Sequence, residues 1–268
     1  MLQPSETPTT LLSERDPQPV ETVNADGSSP FVLSCEHAGR VIPERLGDLG
    51  VGQADMDRHI AWDVGADGLS RRLSALLDAP LVLQRYSRLV VDCNRPIEAP
   101  DCFPEQSDST PVPGNIRLTE LERRRRFDEI HQPFHRELAQ LLDRRVALQS
   151  PTILVAVHSF TPRLVGGPDR PWHLGALSNR DGSFTERFLA AFRARNRDVP
   201  SAHNEPYVVD DRTDYTIPVH GEARGIPHLL LEIRNDLIAA AEGQDIWAAR
   251  LADALVAAKT EKREDTDG

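Results

Sequence analysis

Cysteine is scarce in this chain of 268 residues: there are three, at positions 35, 93 and 102. The odd number and the lack of a CxxC pair argue against a disulfide framework or a cysteine-rich zinc site. Cys35 and Cys93 each end an apolar run, which suits reduced, buried thiols in a cytoplasmic protein. No apolar run approaches the roughly 18 residues of a transmembrane helix. The first thirty residues are rich in Pro, Thr and Ser and hold no signal-like apolar stretch. A basic excess is also missing. Lys and Arg total 31 against 42 Asp and Glu, a net charge of −11, and a nucleic-acid surface needs the opposite balance. There is no phosphate-binding GxxxxGK[ST] loop and no GxSxG nucleophile context around Ser159, nor any internal repeat.

What remains is a composition that folds: 39% hydrophobic and 27% charged residues are those of a soluble globular chain. Strand-like apolar runs alternate with helical periodicity. Strands are expected at 31–34, 80–84, 88–92, 152–157, 174–177 and 228–233, with an edge strand within 202–208. Helices are expected over 55–77, 118–146, 184–197 and 246–259. Thr119 with Glu122 three residues on forms a capping-box pattern, and Pro133 should kink or break the helix that follows. Residues 98–116 and 210–220 read as loops. This alternation predicts a three-layer α/β fold: a mixed, mainly parallel sheet with helices on both faces. Residues 1–30 read as a flexible arm, 31–259 as a single α/β domain, and 260–268 as a charged tail.

The chemistry gathers where apolar runs end. Phe31-Val32-Leu33 stops at Ser34-Cys35-Glu36-His37, and the run over 152–157 stops at His158-Ser159. In open α/β sheets the carboxyl ends of strands form the binding rim. Two histidines and a carboxylate make the ligand set of a catalytic zinc with an open water position. The third ligand is sought among Glu36, Glu44, Asp57 and Asp63. Strand alternation counts against Glu36 beside His37, and Asp57, at an expected helix start, is preferred. Glu232, inside Leu229-Leu230-Leu231-Glu232-Ile233, should have a raised pKa unless paired, which suits a general base. The competing reading is a buried ion pair with Arg234, two residues on. Arg95 is placed to polarise a carbonyl oxygen, and Arg88, Asn94, Ser159 and Arg234 to hold an acidic substrate, since arginine binds carboxylates through paired hydrogen bonds. His59 and His220 are weaker candidates for the site, and His131 and His135 read as structural.

The blocks Cys35-Glu36-His37-Ala38-Gly39, Asp57-Arg58-His59-Ile60-Ala61-Trp62-Asp63-Val64-Gly65-Ala66, Ser87-Arg88-Leu89-Val90-Val91-Asp92-Cys93-Asn94-Arg95-Pro96, His158-Ser159-Phe160 and Leu231-Glu232-Ile233-Arg234 together resemble the N-formylglutamate amidohydrolase family. The ordered blocks run from about residue 31 to 237. The resemblance implies a zinc-carboxypeptidase-like fold and a metal-activated water that attacks an amide carbonyl. It implies His37 and His158 as zinc ligands, Asn94-Arg95 as a substrate or oxyanion clamp and Glu232 as the base. Arg40 stands where the glutamate of a His-x-x-Glu ligand pair would be, so the third ligand does not carry over. The expected substrate is an N-acyl (N-formyl) amino acid such as N-formylglutamate. The alternatives are a non-catalytic binder of an acidic small molecule and a metallo-peptidase whose 98–116 loop shapes a wider cleft.

Overall fold

The computed structural model describes residues 10–260. The strands in chain order are β1 (Val20–Val23), β2 (Phe31–Cys35), β3 (Leu81–Gln84), β4 (Gln106–Ser107), β5 (Thr110–Pro111), β6 (Ile153–Phe160), β7 (Leu174–Leu177), β8 (Ser201–His203) and β9 (His228–Arg234). The α-helices are α1 (Gln53–Met56), α2 (Ala66–Leu77), α3 (Glu120–Arg126), α4 (Gln132–Ala147), α5 (Ser183–Arg195) and α6 (Ala241–Thr260). Seven strands form one sheet in the order β1-β3-β2-β6-β9-β7-β8, and β4 and β5 make a separate small hairpin. The inner strands β3, β2, β6 and β9 run parallel, while β1 and β7 run antiparallel to their inner neighbours. The mixed, mainly parallel sheet of the sequence reading is therefore the observed one.

Strand alternation sorts the core into two layers. Phe31, Leu33, Val155, Val157, Leu229 and Leu231 pack with α2, α5 and α6 on one face. Val32, Val82 and Leu154 pack with α4 and the 86–112 segment on the other. Buried on both sides, β2, β6 and β9 read as continuous apolar runs.

Three expectations change. Val20–Val23, assigned to a flexible arm, is an edge strand on β3, and Leu11 is buried. The tail beyond Thr260 lies outside the described residues. The 55–77 helix begins only at Ala66, because Gly65 adopts a left-handed φ of +82°. A Cβ there would also run into Ile238 O, so the chain needs glycine at that turn. Residues 89–92 are buried, but the 88–92 segment turns instead of forming a strand, since Ser87 O accepts the Val90 amide. Their apolar character reflects burial alone, which periodicity cannot separate from a strand.

The expected long helix is continuous but changes pitch. Thr119 and Glu122 close the capping box on α3. Residues Phe127–His131 then widen into a π-helical turn immediately before Pro133 in α4. Proline lacks the amide proton of an α-helical bond, and the wider turn absorbs that loss without a break.

Candidate active site

β2, β6 and β9 end on one edge, and their last residues build the site. His158 pairs in register with Glu232 across β6 and β9. β2 stops at Cys35, so strand alternation no longer separates Glu36 from His37. Asp63 arrives from the irregular segment before α2, its amide donating to His37 O at 2.9 Å.

His37 Nδ1, His158 Nδ1 and Asp63 Oδ2 form a triangle. Its sides are 3.2 Å between the two imidazole nitrogens, 3.4 Å from His37 to Asp63, and 2.9 Å from His158 to Asp63. Ligands of a tetrahedral zinc with bonds of about 2.0–2.1 Å stand about 3.3 Å apart, so the triangle fits one face of such a shell. The far nitrogens meet carboxylates. His37 Nε2 lies 2.7 Å from Asp92 Oδ1. His158 Nε2 and Glu36 Oε2 are 2.9 Å apart, an ion-pair distance at an angle too poor for a hydrogen bond. A carboxylate behind each imidazole fixes the ring and strengthens it as a ligand.

The surroundings are built for a cation. Glu36, Asp63, Asp92 and Glu232 are all buried. Burial works against the charge on Asp63, but His37 and His158 outweigh it and hold Asp63 far below the usual carboxylate range. Asp92 is likewise lowered against burial, by Arg88, His37 and Arg95. Glu36 is lowered against burial by His158, Ser34 and Thr216. His158 is raised well above an ordinary histidine, because Asp63 and Glu36 overcome its burial. Buried charge must be compensated, and a divalent ion between the rings would supply what a proton on His158 otherwise supplies. The donor set therefore fits a zinc-like metal.

A cavity of about 360 Å³ opens beside the triangle. Its wall includes Arg88, Arg95, Tyr207, Asp214 and Glu232 besides the two histidines. Glu232 Oε2 has no hydrogen-bond partner among the described residues, and burial pushes the carboxyl up to about 8. Arg88 bridges Asp92, at 2.7 Å, and Asp63, at 3.3 Å, beside the triangle. Arg95 is held by Asp101 at 2.8 Å, with Asp214 at 3.9 Å. Asn94 lines the cavity, but its amide is engaged: Nδ2 donates to Asp214, and Oδ1 accepts the Tyr215 and Thr216 amides. Ser159 also lines the cavity. Its hydroxyl donates to Val64 O and its amide to Asp63 Oδ2.

Two sequence-based assignments fail geometrically. Asp57, the preferred third ligand, is exposed and pairs with Arg40 and Gln53. No long helix starts there to turn it inward, and Asp63 occupies the position instead. Arg234 does not reach the cavity. It ends β9 and bends back onto Asp236 at 2.8 Å, so Glu232 is not neutralised by it. Asp92 and Glu36 as supports for the two rings were not anticipated as such. The acidic residue two positions ahead of Asn94-Arg95 was the available signal for Asp92. Among the lesser candidates, His59 lines the cavity, whereas His220 is buried beside His135.

A family model described as N-formylglutamate amidohydrolase matches residues 29–239. The chain belongs to that family. Its members hydrolyse amide bonds, and this chain is accordingly a hydrolase of small-molecule amides. The gene product Atu2144 of Agrobacterium tumefaciens is similar at 35% identity and a TM-score of 0.89, over 93% of this chain and 98% of that one. The N-formylglutamate amidohydrolase of Ralstonia eutropha JMP134 shares the fold at a TM-score of 0.64 and 18% identity, over 90% and 97% of the two chains. No curated protein matches significantly. Among the described residues no helix is long and apolar enough to cross a membrane.

Proposed function

We propose that the chain is a metal-dependent amidohydrolase that releases the acyl group of an N-acyl amino acid, N-formylglutamate being the leading candidate. The observation that carries this reading is the triangle of His37 Nδ1, Asp63 Oδ2 and His158 Nδ1, sharing one cavity with the buried, unpartnered Glu232 Oε2. When bound there, zinc supplies Lewis acidity and a water that ionises near neutral pH.

The chain's own residues do the rest. Glu232 takes the proton of the attacking water as the new C–O bond forms, then gives it to the nitrogen as the C–N bond breaks. The products are the free amino acid and formate or another carboxylate. A carboxyl pushed up by burial suits both transfers, because its proton affinity lies close to working pH. Arg88, wedged between Asp63 and Asp92, is placed to stabilise the developing oxyanion. Arg95, held among Asp92, Asp101 and Asp214, is placed to receive the substrate's carboxylate. This exchanges the roles first expected of the two arginines, since Arg88 touches Asp63 of the triangle. The three buried, unbridged cysteines support a reducing, cytoplasmic setting.

The test is a panel of N-formyl, N-acetyl and peptide amides offered to protein reconstituted with zinc. Turnover of N-formyl amino acids at about one metal per chain is expected. Tight binding of an acidic ligand without turnover, or preference for peptides, would overturn the reading.

A further inference from the structure

A second group of histidines packs against the Cys93-Asn94-Arg95 turn and takes no part in the hydrolysis just described. His131, His135 and His220 are all buried. His131 and His220 each lie in a π-helical turn, at Phe127–His131 and Ile217–Gly221, and such turns, rare overall, are frequent at functional sites. The His135 and His220 rings are nearly parallel, with an interplanar angle of 11°, and Tyr215 packs on both His131 and His135.

The hydrogen bonds here can run in one direction only. Arg224 is anchored by Asp143 and Val219 O, and its Nη1 lies 3.2 Å from His220 Nδ1. A guanidinium only donates, so His220 accepts at Nδ1 and carries its proton on Nε2. That proton points to His135 Nδ1, 2.9 Å away. His135 therefore carries its own proton on Nε2, which lies 2.6 Å from Cys93 O. A carbonyl only accepts, so both ends of the chain are fixed and each ring has one permitted tautomer. In parallel, His131 Nε2 donates to Arg95 O at 2.9 Å.

Both carbonyls flanking Asn94 are thus held by neutral imidazoles. The groups facing this cluster are Arg224, Asp143, Glu36 and Asp92, together with the three rings themselves. Burial is the largest influence and keeps His131 and His220 down at about 4, and His135 well below an ordinary histidine.

We propose that His131, His135 and His220 are positioning residues: the Arg224–His220–His135 relay and His131 clamp the carbonyls of Cys93 and Arg95, and so set the direction in which Arg95 enters the cavity. The consequence for substrate rests on the reading above, in which Arg95 receives the substrate's carboxylate. The relay itself rests on geometry alone.

The test combines two readouts. Long-range ¹H–¹⁵N spectra of the full chain at neutral pH should show His135 and His220 neutral with Nε2 protonated. A proton on Nδ1 of either ring would overturn the relay. Kinetics with N-formyl-L-glutamate should then separate two substitutions. Asn at 135 is too short to reach Cys93 O, whereas Gln places an amide N–H near the position of Nε2. H135N should raise KM about tenfold with kcat little changed, and H135Q should recover most of the loss. R224L, on the partly exposed end of the relay, should allow the Nδ1–H form of His220 and raise KM in the same direction. Equal KM in all variants, or parallel losses of kcat and melting temperature without a KM change, would reduce the cluster to packing. A wild-type protein inactive on every N-acyl amino acid would instead strike the functional reading, and the ring spectra would then decide the relay.

Discussion

Asp92 and Glu232 are both buried carboxylates beside the cavity, and their proton affinities move in opposite directions. Asp92 accepts from His37, Arg88 and the Asn94 amide, so its charge is compensated and its pKa is lowered against burial. Glu232 has one oxygen without a partner, and burial dominates. This contrast separates support from chemistry. Glu232→Gln keeps size and removes the proton carrier. It should lower kcat by about 10²–10⁴-fold while metal content, measured by elemental analysis, is unchanged. Unchanged turnover would remove Glu232 from the mechanism. Asp92→Asn leaves the ligand triangle complete but weakens the support behind His37. Metal affinity should fall by about 10–100-fold, measured by competition with a chromogenic chelator. An affinity equal to wild type would show that His37 is held by its backbone alone.

At the scale of elements, the triangle depends on a short irregular segment that carries Asp63 between β2 and α2. Gly65 ends that segment with a left-handed φ, against Ile238 O. Gly65→Ala should cost about 2 kcal/mol from backbone strain, read by urea denaturation, and should weaken metal binding as Asp63 shifts. A variant as stable as wild type would show that the turn tolerates a side chain. The same segment marks the limit of what the sequence made legible. Strand-end histidines 37 and 158 and the glutamate at 232 stood out because each interrupts an apolar run. The cap at Thr119 stood out because its spacing is fixed by helix geometry. Asp63 could not be chosen over Asp57, since that choice needs the position where α2 starts, and a glycine φ is not written in periodicity. Arg88 and Arg95 were legible as cavity residues, but their contacts with Asp63 and Asp101 appear only in the distances. The edge strand β1 was hidden because Val20–Val23 is only half-buried and follows a proline-rich stretch.

For the whole molecule, the buried titrating groups make stability without metal depend on pH in two opposed ways. His131 and His220 sit near 4 in the folded chain against about 6.5 unfolded. Between those values the unfolded state binds more protons, so stability rises with pH. Glu232 behaves oppositely: near 8 when folded and about 4.3 unfolded, it is protonated first in the native state, and stability falls as pH rises through that window. His158, raised by Asp63 and Glu36, adds to the fall above about 6.5. The histidines outnumber Glu232 on the acid side, whereas Glu232 and His158 pull the other way on the alkaline side. Chelated protein should therefore melt highest near pH 6.5, lower at pH 5, and lower again at pH 8. Zinc should remove the alkaline decline, because the ion replaces the proton on His158 and its charge draws down Glu232. It should leave the acid side set by His131 and His220. Melting curves at three pH values, with chelator and with zinc, measure all of this. A chelated protein whose stability climbs steadily through pH 8 would show that Glu232 is not held protonated by its burial.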